Sequence, residues 1–294
     1  MVQNNNVIAI DALIPPEMAA KAEQIGYKKA HMDSVSMFVL AVLAGAFIAL
    51  GAIFATTVTA GTSGLLPFGV VRLLAGFVFS LGLILVVVGG AELFTGNNMI
   101  VMAWASRKIP TGLLVKNWTV VYLGNFVGAL ATALVLFLSG QFVFGSGGVG
   151  LAALTTADAK VNLDFMQALM LGILCNCLVC LAVWMTYSAR TTTDKILAII
   201  PPITAFVAAG FEHSIANMYF IPIGLLIKAG APASFWTAIG KTAANYPNLT
   251  WDRFLLNNLL PVTIGNIIGG SLLVGMVYWF VYLRNLKPTA EEES

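Results

Sequence analysis

Two glutamates lie deep inside otherwise uncharged hydrophobic stretches, and each belongs to the same short pattern. Residues 90–97 read GAELFTGN and residues 210–217 read GFEHSIAN, so both fit the frame G-x-E-x-x-x-x-N. An ionisable side chain at membrane depth is costly and is usually paired or functional. We expect each glutamate to cap free backbone N–H groups of a broken helix and to fix the loop with the asparagine five residues later. The residues concerned are Glu92, Asn97, Glu212 and Asn217.

The residue after Glu212 is His213, the one histidine inside a hydrophobic stretch, because His31 lies in the polar N-terminal segment. Imidazole can bind or release a proton near neutral pH. The matching loop offers the hydroxyl of Thr95. Since helix N-termini attract anions, two broken helices that meet here favour a small, negatively charged solute. We therefore predict direct roles for His213 and Thr95 at a solute site.

Composition places these residues in a membrane protein built from helices. The chain has 294 residues, 59% of them hydrophobic and 10% charged, with a mean hydropathy of +0.90. A soluble domain carries roughly 25% charged residues. The segments are continuously apolar, which disfavours an alternating β-barrel. The formal net charge of +2 gives no indication of nucleic-acid binding.

The sequence also disfavours an enzyme, a metal site and a cofactor. Cys175, Cys177 and Cys180 share one uncharged run, but a structural metal site would need a fourth ligand and a polar shell. No H-E-x-x-H motif and no G-x-S-x-G nucleophile accompanies His213. We expect the cysteines to be small buried helix residues.

Gaps between charged residues predict six membrane spans, of which the second and fifth are interrupted. These two stretches exceed 30 residues, whereas one crossing needs about 20. Each is expected to break near its glutamate, beside glycines in the second span and beside Pro201, Pro202 and Gly210 in the fifth. The six stretches are 34–71, 73–106, 117–157, 165–189, 196–227 and 254–283. The first span is predicted at about 35–60, and the third near 114–139 with a glycine-rich loop after it.

A second repeated frame, N-x6-G-N-x-x-G, occurs at 117–128 and again at 258–269. Small residues allow helices to approach closely, and asparagine can bond across them. Two frames in the same order indicate an internal repeat of three spans. Because three is odd, the second half enters the membrane from the opposite side, and the repeat is therefore inverted. The predicted fold class is an all-α polytopic membrane protein with six helices in an inverted 3+3 repeat.

Charge bias orients the spans and sets the predicted division of the chain. Lysine and arginine number ten on the side of the termini and five on the other, so both termini are predicted to be cytoplasmic. Residues 15–31 are expected to form an amphipathic helix on the membrane surface. The predicted parts are an N-terminal segment at 1–34, a channel domain at 35–284 with repeats at 35–139 and 165–284, and a tail at 285–294.

Four segments resemble the formate/nitrite transporter family, and the likeness is greatest to its formate branch. They are GAELFT at 90–95, KNW at 116–118, GFEHSIANM at 210–218 and PVTIGNIIGG at 261–270. The resemblance extends from about Leu13 to Leu283. It implies an aquaporin-like protomer, a homopentamer with one pore through each protomer, and a passive formate channel in the bacterial cytoplasmic membrane.

The resemblance also assigns pore residues in this sequence. It implies a central polar pair of Thr95 and His213 between two constrictions. The outer constriction would be formed by Phe79, Leu83 and Phe206. The inner constriction would be formed by Leu93, Val179 and Asn176. Lys160, in an outer loop, would draw anions towards the pore mouth.

Several alternatives remain open for the mechanism and the solute. An anion crosses an apolar constriction at a high cost, whereas a neutral acid crosses more easily. His213 either lends formate a proton or only binds the anion, and the residues do not decide between these roles. Nitrite, acetate and hydrosulfide are alternative solutes, and a proton-coupled formate carrier is an alternative transporter. A water pore would carry Asn-Pro-Ala at its broken helices, and neither loop has it.

Overall fold

The structure, a computed structural model, describes residues 12–62 and 64–285, and this part of the chain is helical without strands. The first 11 residues and most of the predicted tail lie outside the described residues. The helices are α1 (Pro15–Ala30), α2 (Ser34–Thr59), α3 (Phe68–Gly89), α4 (Phe94–Asn97), α5 (Val101–Ala105), α6 (Thr111–Leu138), α7 (Gly148–Val161), α8 (Phe165–Ser188), α9 (Thr192–Ala209), α10 (Ser214–Gly230), α11 (Ala233–Ile239), α12 (Trp251–Arg253), α13 (Leu260–Ile267) and α14 (Val277–Tyr282).

Six helices in the described residues are long and apolar enough to cross a membrane, which confirms the predicted number. They are α2, α3, α6, α8, α9 and the rod Trp251–Tyr282. Two π-helical segments, Phe254–Leu259 and Ile268–Met276, join α12, α13 and α14 into that rod. Beyond the second break, α10 bends by 113° into α11.

The two predicted interruptions are present, after α3 and after α9. Each helix is followed by a glycine in the left-handed region, Gly90 or Gly210, both at φ 78°. In each case the next amide bonds back five residues: Ala91 N–H to the carbonyl of Val86, and Phe211 N–H to that of Phe206. This is the Schellman end of a helix, which glycine adopts without steric cost.

The prolines predicted to help break the fifth span do not do so. Pro201 and Pro202 both lie inside α9, and the helix continues to Ala209. Membrane helices tolerate proline because neighbouring helices can satisfy the backbone groups that it frees. The glycine alone therefore marks the end of this helix.

The repeated G-N-x-x-G frames bring pairs of helices into close contact, as predicted. A Cβ atom on Gly124 would lie 2.9 Å from the carbonyl oxygen of Phe38, and one on Gly128 would meet that of Val42. In the second half, a Cβ atom on Gly265 or on Gly269 would likewise meet a backbone carbonyl, and these two carbonyls are also four residues apart. Those carbonyls belong to Leu169 and Ile173 of α8. The two halves thus share one packing arrangement, α6 on α2 and α13 on α8.

Each half also begins with a helix that the predicted repeat bounds left out. The region after the third span was predicted to be a glycine-rich loop, but it contains α7. Asp33 accepts N–H bonds at the start of α2, and Asp164 does the same for α8. These bonds lower the pKa of Asp33, the bond with Ser36 most. Lys29 on α1 and Lys160 on α7 each lie four residues before that aspartate, so α1 and α7 are equivalent elements.

Candidate functional site

Thr95 and His213 meet where the two broken helices face each other. Thr95 is the second residue of α4, and His213 is the N-cap of α10. The hydroxyl oxygen of Thr95 lies 3.0 Å from Nε2 of His213, although the residues are 118 positions apart. Both side chains are buried, with 0% and 3% of their surface exposed. The structure thus brings together the two residues predicted to form the central polar pair.

The hydrogen bonds of His213 define which ring nitrogen carries the proton. Nδ1 accepts the backbone N–H of Ala216 at 3.0 Å and closes the first turn of α10. A nitrogen that accepts a hydrogen bond is unprotonated, so the neutral ring carries its proton on Nε2; this tautomer is assigned from the partners. Nε2–H therefore donates to Thr95, and the Thr95 hydroxyl keeps its own proton for another acceptor.

In the first half, a lysine and two asparagines surround the buried glutamate. Glu92 Oε1 accepts from the Lys29 ammonium at 2.8 Å, and Glu92 Oε2 accepts from the amide of Asn97 at 2.7 Å. Asn97 also donates to Asn117 Oδ1 at 3.0 Å. Asn117 in turn donates to the backbone carbonyl of Lys29 at 3.1 Å. This cluster joins α1, the first break and α6.

The second half repeats this cluster with matching residues. Glu212 Oε1 accepts from Lys160 at 2.7 Å, and Glu212 Oε2 accepts from Asn217 at 2.7 Å. Asn217 donates to Asn258 Oδ1 at 2.7 Å, and Asn258 donates to the carbonyl of Lys160 at 2.9 Å. The cluster therefore joins α7, the second break and the last span.

The predicted partnership of each glutamate with the asparagine five residues later is confirmed. The prediction that the carboxylates cap backbone N–H groups is wrong, because their oxygens bind a lysine and amide side chains. Two other asparagines cap the broken helices. Asn125 Oδ1 accepts the N–H of Phe94 at 2.9 Å, and Asn266 Oδ1 accepts that of Ser214 at 2.9 Å.

Lys160 therefore lies on helix α7 and in an ion pair, whereas it was expected in an outer loop. Its side chain is only 14% exposed, and its ammonium is shared with Glu212. Lys29, its equivalent, was not singled out from the sequence. A usable signal was present, since Lys29 and Lys160 precede Asp33 and Asp164 by the same four residues.

Aromatic rings cover one side of the central pair. Phe79 and Phe206 meet edge to face with ring centroids 5.7 Å apart, and Phe206 stacks on the His213 ring at 5.9 Å. This contact places the two predicted outer phenylalanines next to the pair. Leu83, predicted with them, lies one turn further along α3, where it lines a cavity together with Leu93.

The residues predicted to form the inner constriction are all buried, Leu93 at 2%, Val179 at 1% and Asn176 at 0% exposure. Leu93 occupies the same position in the G-x-E-x-x-x-x-N frame as His213, so one half has an apolar residue where the other has imidazole. The amide of Asn176 lies 3.2 Å from the carbonyl of Thr95. Cys180, on the same helix, also donates to that carbonyl at 3.3 Å.

A cavity of about 270 Å³ opens beside Leu93, on the side of α1. Water occupies about 30 Å³ in the liquid, so the cavity has room for several molecules. Three lysines contribute to its lining: Lys21, Lys29 and Lys195. Burial, and next the nearby charges of Lys195 and Arg190, lower the pKa of Lys21. Glu92 also borders the cavity and pairs with Lys29, so the cavity is a vestibule with apolar walls and a net positive lining.

Known proteins with similar sequences share nearly the whole length of the chain. The chain is 52% identical to the formate channel FocA of Escherichia coli strain K12 over 274 residues, which covers 93% of this chain and 96% of that protein. It is 43% identical to the formate channel FocA of Haemophilus influenzae over 276 residues, covering 94% and 97%.

Two solved structures have the same fold. A pentameric formate channel with formate bound matches with a TM-score of 0.81 and 48% identity, covering 85% of this chain and 98% of that one. An ion channel of the FNT family matches with a TM-score of 0.77 and 29% identity, covering 90% and 98%. A sequence model described as formate/nitrite transporter matches residues 16–280. The chain therefore belongs to the formate/nitrite transporter family.

Proposed function

We propose that the protein is a passive membrane channel for formate. The observation that carries the proposal is one buried polar pair, Thr95 and His213, between aromatic rings on one side and Leu93 on the other. Such a site suits one small solute at a time, after the solute has lost most of its water. The similarity to formate channels supports formate as that solute.

Formate would bind between the two hydrogen-bond donors of the pair. A carboxylate accepts several hydrogen bonds and donates none. The Nε2–H of His213 and the hydroxyl of Thr95 can therefore both turn from each other to the solute. Hydrogen bonds to a charged group are stronger than neutral ones, which offsets part of the lost hydration.

The geometry favours binding by a neutral His213 over the lending of a proton. A second ring proton would have to sit on Nδ1, where it would oppose the N–H of Ala216. The first turn of α10 would then lose its cap, and the imidazolium would face a helix N-terminus. We therefore propose that His213 acts as a fixed donor while this bond is in place, and that the solute gains or loses any proton elsewhere.

The pore acts as part of a larger assembly in this proposal. The protein forms a homopentamer in the bacterial cytoplasmic membrane, with both termini on the cytoplasmic side. Its parts are the segment 1–34, the channel domain 35–284 and the tail 285–294. Phe79 and Phe206 narrow the outer side and Leu93, with Val179, narrows the inner side. Lys160 contributes its positive field at the outer mouth even while it is paired.

Flux through purified protein in liposomes tests the proposal. Formate is expected to move down its own gradient with the membrane potential and pH gradient abolished by ionophores, and the rate should rise almost linearly with concentration. Liposomes without protein provide the control. Flux that requires an imposed proton gradient, and that saturates, would indicate a proton-coupled carrier instead.

Competition identifies the solute in the same assay. Acetate, nitrite and hydrosulfide are each added at equal concentration to the formate side. Formate is expected to cross faster than any of them. Faster passage of nitrite or hydrosulfide would replace formate with that anion and leave the pore architecture intact.

A further inference from the structure

We infer that Asn176 is a positioning residue that fixes the distance between Thr95 and His213 without contacting the solute. Its side chain is fully buried, on the fourth span. The amide nitrogen lies 3.2 Å from the carbonyl of Thr95 and 2.7 Å from the carbonyl of Asn266. Asn176 thus connects the first broken loop to the last span through two backbone carbonyls.

Asn266 carries this connection on to both neighbours of His213. Its Oδ1 accepts the N–H of Ser214 at 2.9 Å, and its Nδ2 donates to the carbonyl of Glu212 at 3.0 Å. The Thr95–His213 contact closes the path. The result is a ring of hydrogen bonds that joins the two halves at two points, the Thr95–His213 contact and the Asn176–Thr95 contact.

The two halves differ at this position, although they share the rest of the scaffold. Asn176 lies twelve residues after Asp164, and its equivalent, Gly45, lies twelve residues after Asp33. Gly45 packs directly against the carbonyl of Asn125, which is the equivalent of Asn266. In the second half, an amide donor takes the place of that close backbone contact. The asymmetry coincides with the asymmetric polar pair, since Thr95 and His213 also lack polar equivalents.

Other residues hold the Asn176 amide in its orientation. Asn98 Oδ1 lies 2.8 Å from the same nitrogen, so the two amide protons are shared among three acceptors. Gly270 leaves the space that the amide occupies, because a Cβ atom there would lie against Asn176 Nδ2 and 2.8 Å from Cys180 Sγ. Cys180 gives the Thr95 carbonyl a second donor, but a thiol is a weak one. Asn176 and Cys180 therefore support the Thr95 backbone together from outside its own loop.

The test replaces Asn176 with leucine, which has a similar size and shape but no donor. This inference rests on the proposed formate channel, and the ratio of formate flux to acetate flux is the measured quantity. We expect the ratio to fall about tenfold in Asn176→Leu, because a looser pair discriminates less well between the two carboxylates. Cys175→Ala, a buried neighbour outside the ring, is the matched control and should keep the wild-type ratio.

Combining the change with Thr95→Val separates positioning from direct contact. If Asn176 acts through Thr95, the formate-to-acetate flux ratio of the double variant should differ less than twofold from that of Thr95→Val alone. An unchanged ratio in Asn176→Leu, or effects that multiply in the double variant, would overturn the inference. If the leucine variant does not assemble, Asn176→Ala carries the same test. Absence of formate flux in the wild type would contradict the proposed function itself, and is a separate outcome.

Discussion

Replacing Lys160 with methionine is expected to destabilise the folded protein by about 3–5 kcal/mol. The reason is the burial of its partner, since Glu212 is only 5% exposed and Lys160 is 14% exposed. Methionine fills the space of the lysine side chain, but it leaves the buried Glu212 carboxylate with only amide groups as partners and no positive charge. The measurement is the loss of intact protein on heating in detergent, followed by size-exclusion chromatography.

A double variant distinguishes the lost ion pair from general damage. Glu212→Gln removes the unpaired charge and keeps an acceptor for Asn217, so Lys160→Met with Glu212→Gln should recover most of the stability. Lys241→Met, an exposed lysine in the same outer region, is the matched control and should change little. If Lys160→Met were as stable as Lys241→Met, the pair would not support the second break.

Replacing His213 with leucine is expected to reduce formate flux by roughly 10- to 150-fold. Leucine is the residue at the equivalent position of the first loop, so the backbone there accommodates it. The change removes the Nε2–H donor, and a hydrogen bond to a charged group contributes about 1.5–3 kcal/mol, which corresponds to that range of rates. Flux is measured in liposomes with equal amounts of assembled protein.

His213→Asn separates the two roles that the sequence left open. Asparagine is a good N-cap, so its oxygen can replace Nδ1 as the acceptor for Ala216 N–H, and its amide can still donate into the pore. It cannot lend a proton. A fixed-donor role predicts flux within about tenfold of the wild type at pH 5.5 and at pH 7.5. Flux as low as that of His213→Leu would show that titration of His213 is essential.

Much of the fold could be predicted from the sequence because a membrane restricts which residues its spans can contain. Uncharged runs define the spans, and repeated glycine–asparagine frames show which helices must touch. The pairing of Glu92 with Asn97 followed from the cost of a buried charge and their spacing. Thr95 and His213 were also found from their places in the two loops, and the structure puts them in contact.

The errors have a common physical origin in contacts between distant parts of the chain. The lysine partners of the glutamates lie 63 and 52 residues away, on helices that local patterns do not connect to the loops. Helix α7 follows a glycine-rich sequence and is only weakly apolar, so a loop was predicted in its place.

The scaffold is symmetric between the two halves, whereas the polar pair that it carries is asymmetric. The clusters around Glu92 and Glu212 match residue for residue, and both broken helices are capped by an asparagine. The polar pair falls where the repeats diverge, with His213 opposite Leu93 and Thr95 opposite Ile215 in the aligned frames. Each loop therefore keeps the shared frame and contributes one residue of the polar pair, at a different position of the frame.

A structure of the protein determined in formate is the most direct test of the central claim. We predict density for a planar three-atom solute between Thr95 and His213, with an oxygen within about 3 Å of the His213 Nε2 and of the Thr95 hydroxyl. His213→Leu under the same conditions should lack it. Formate bound only in the lysine-lined vestibule, with the Thr95–His213 contact unbroken, would contradict the account.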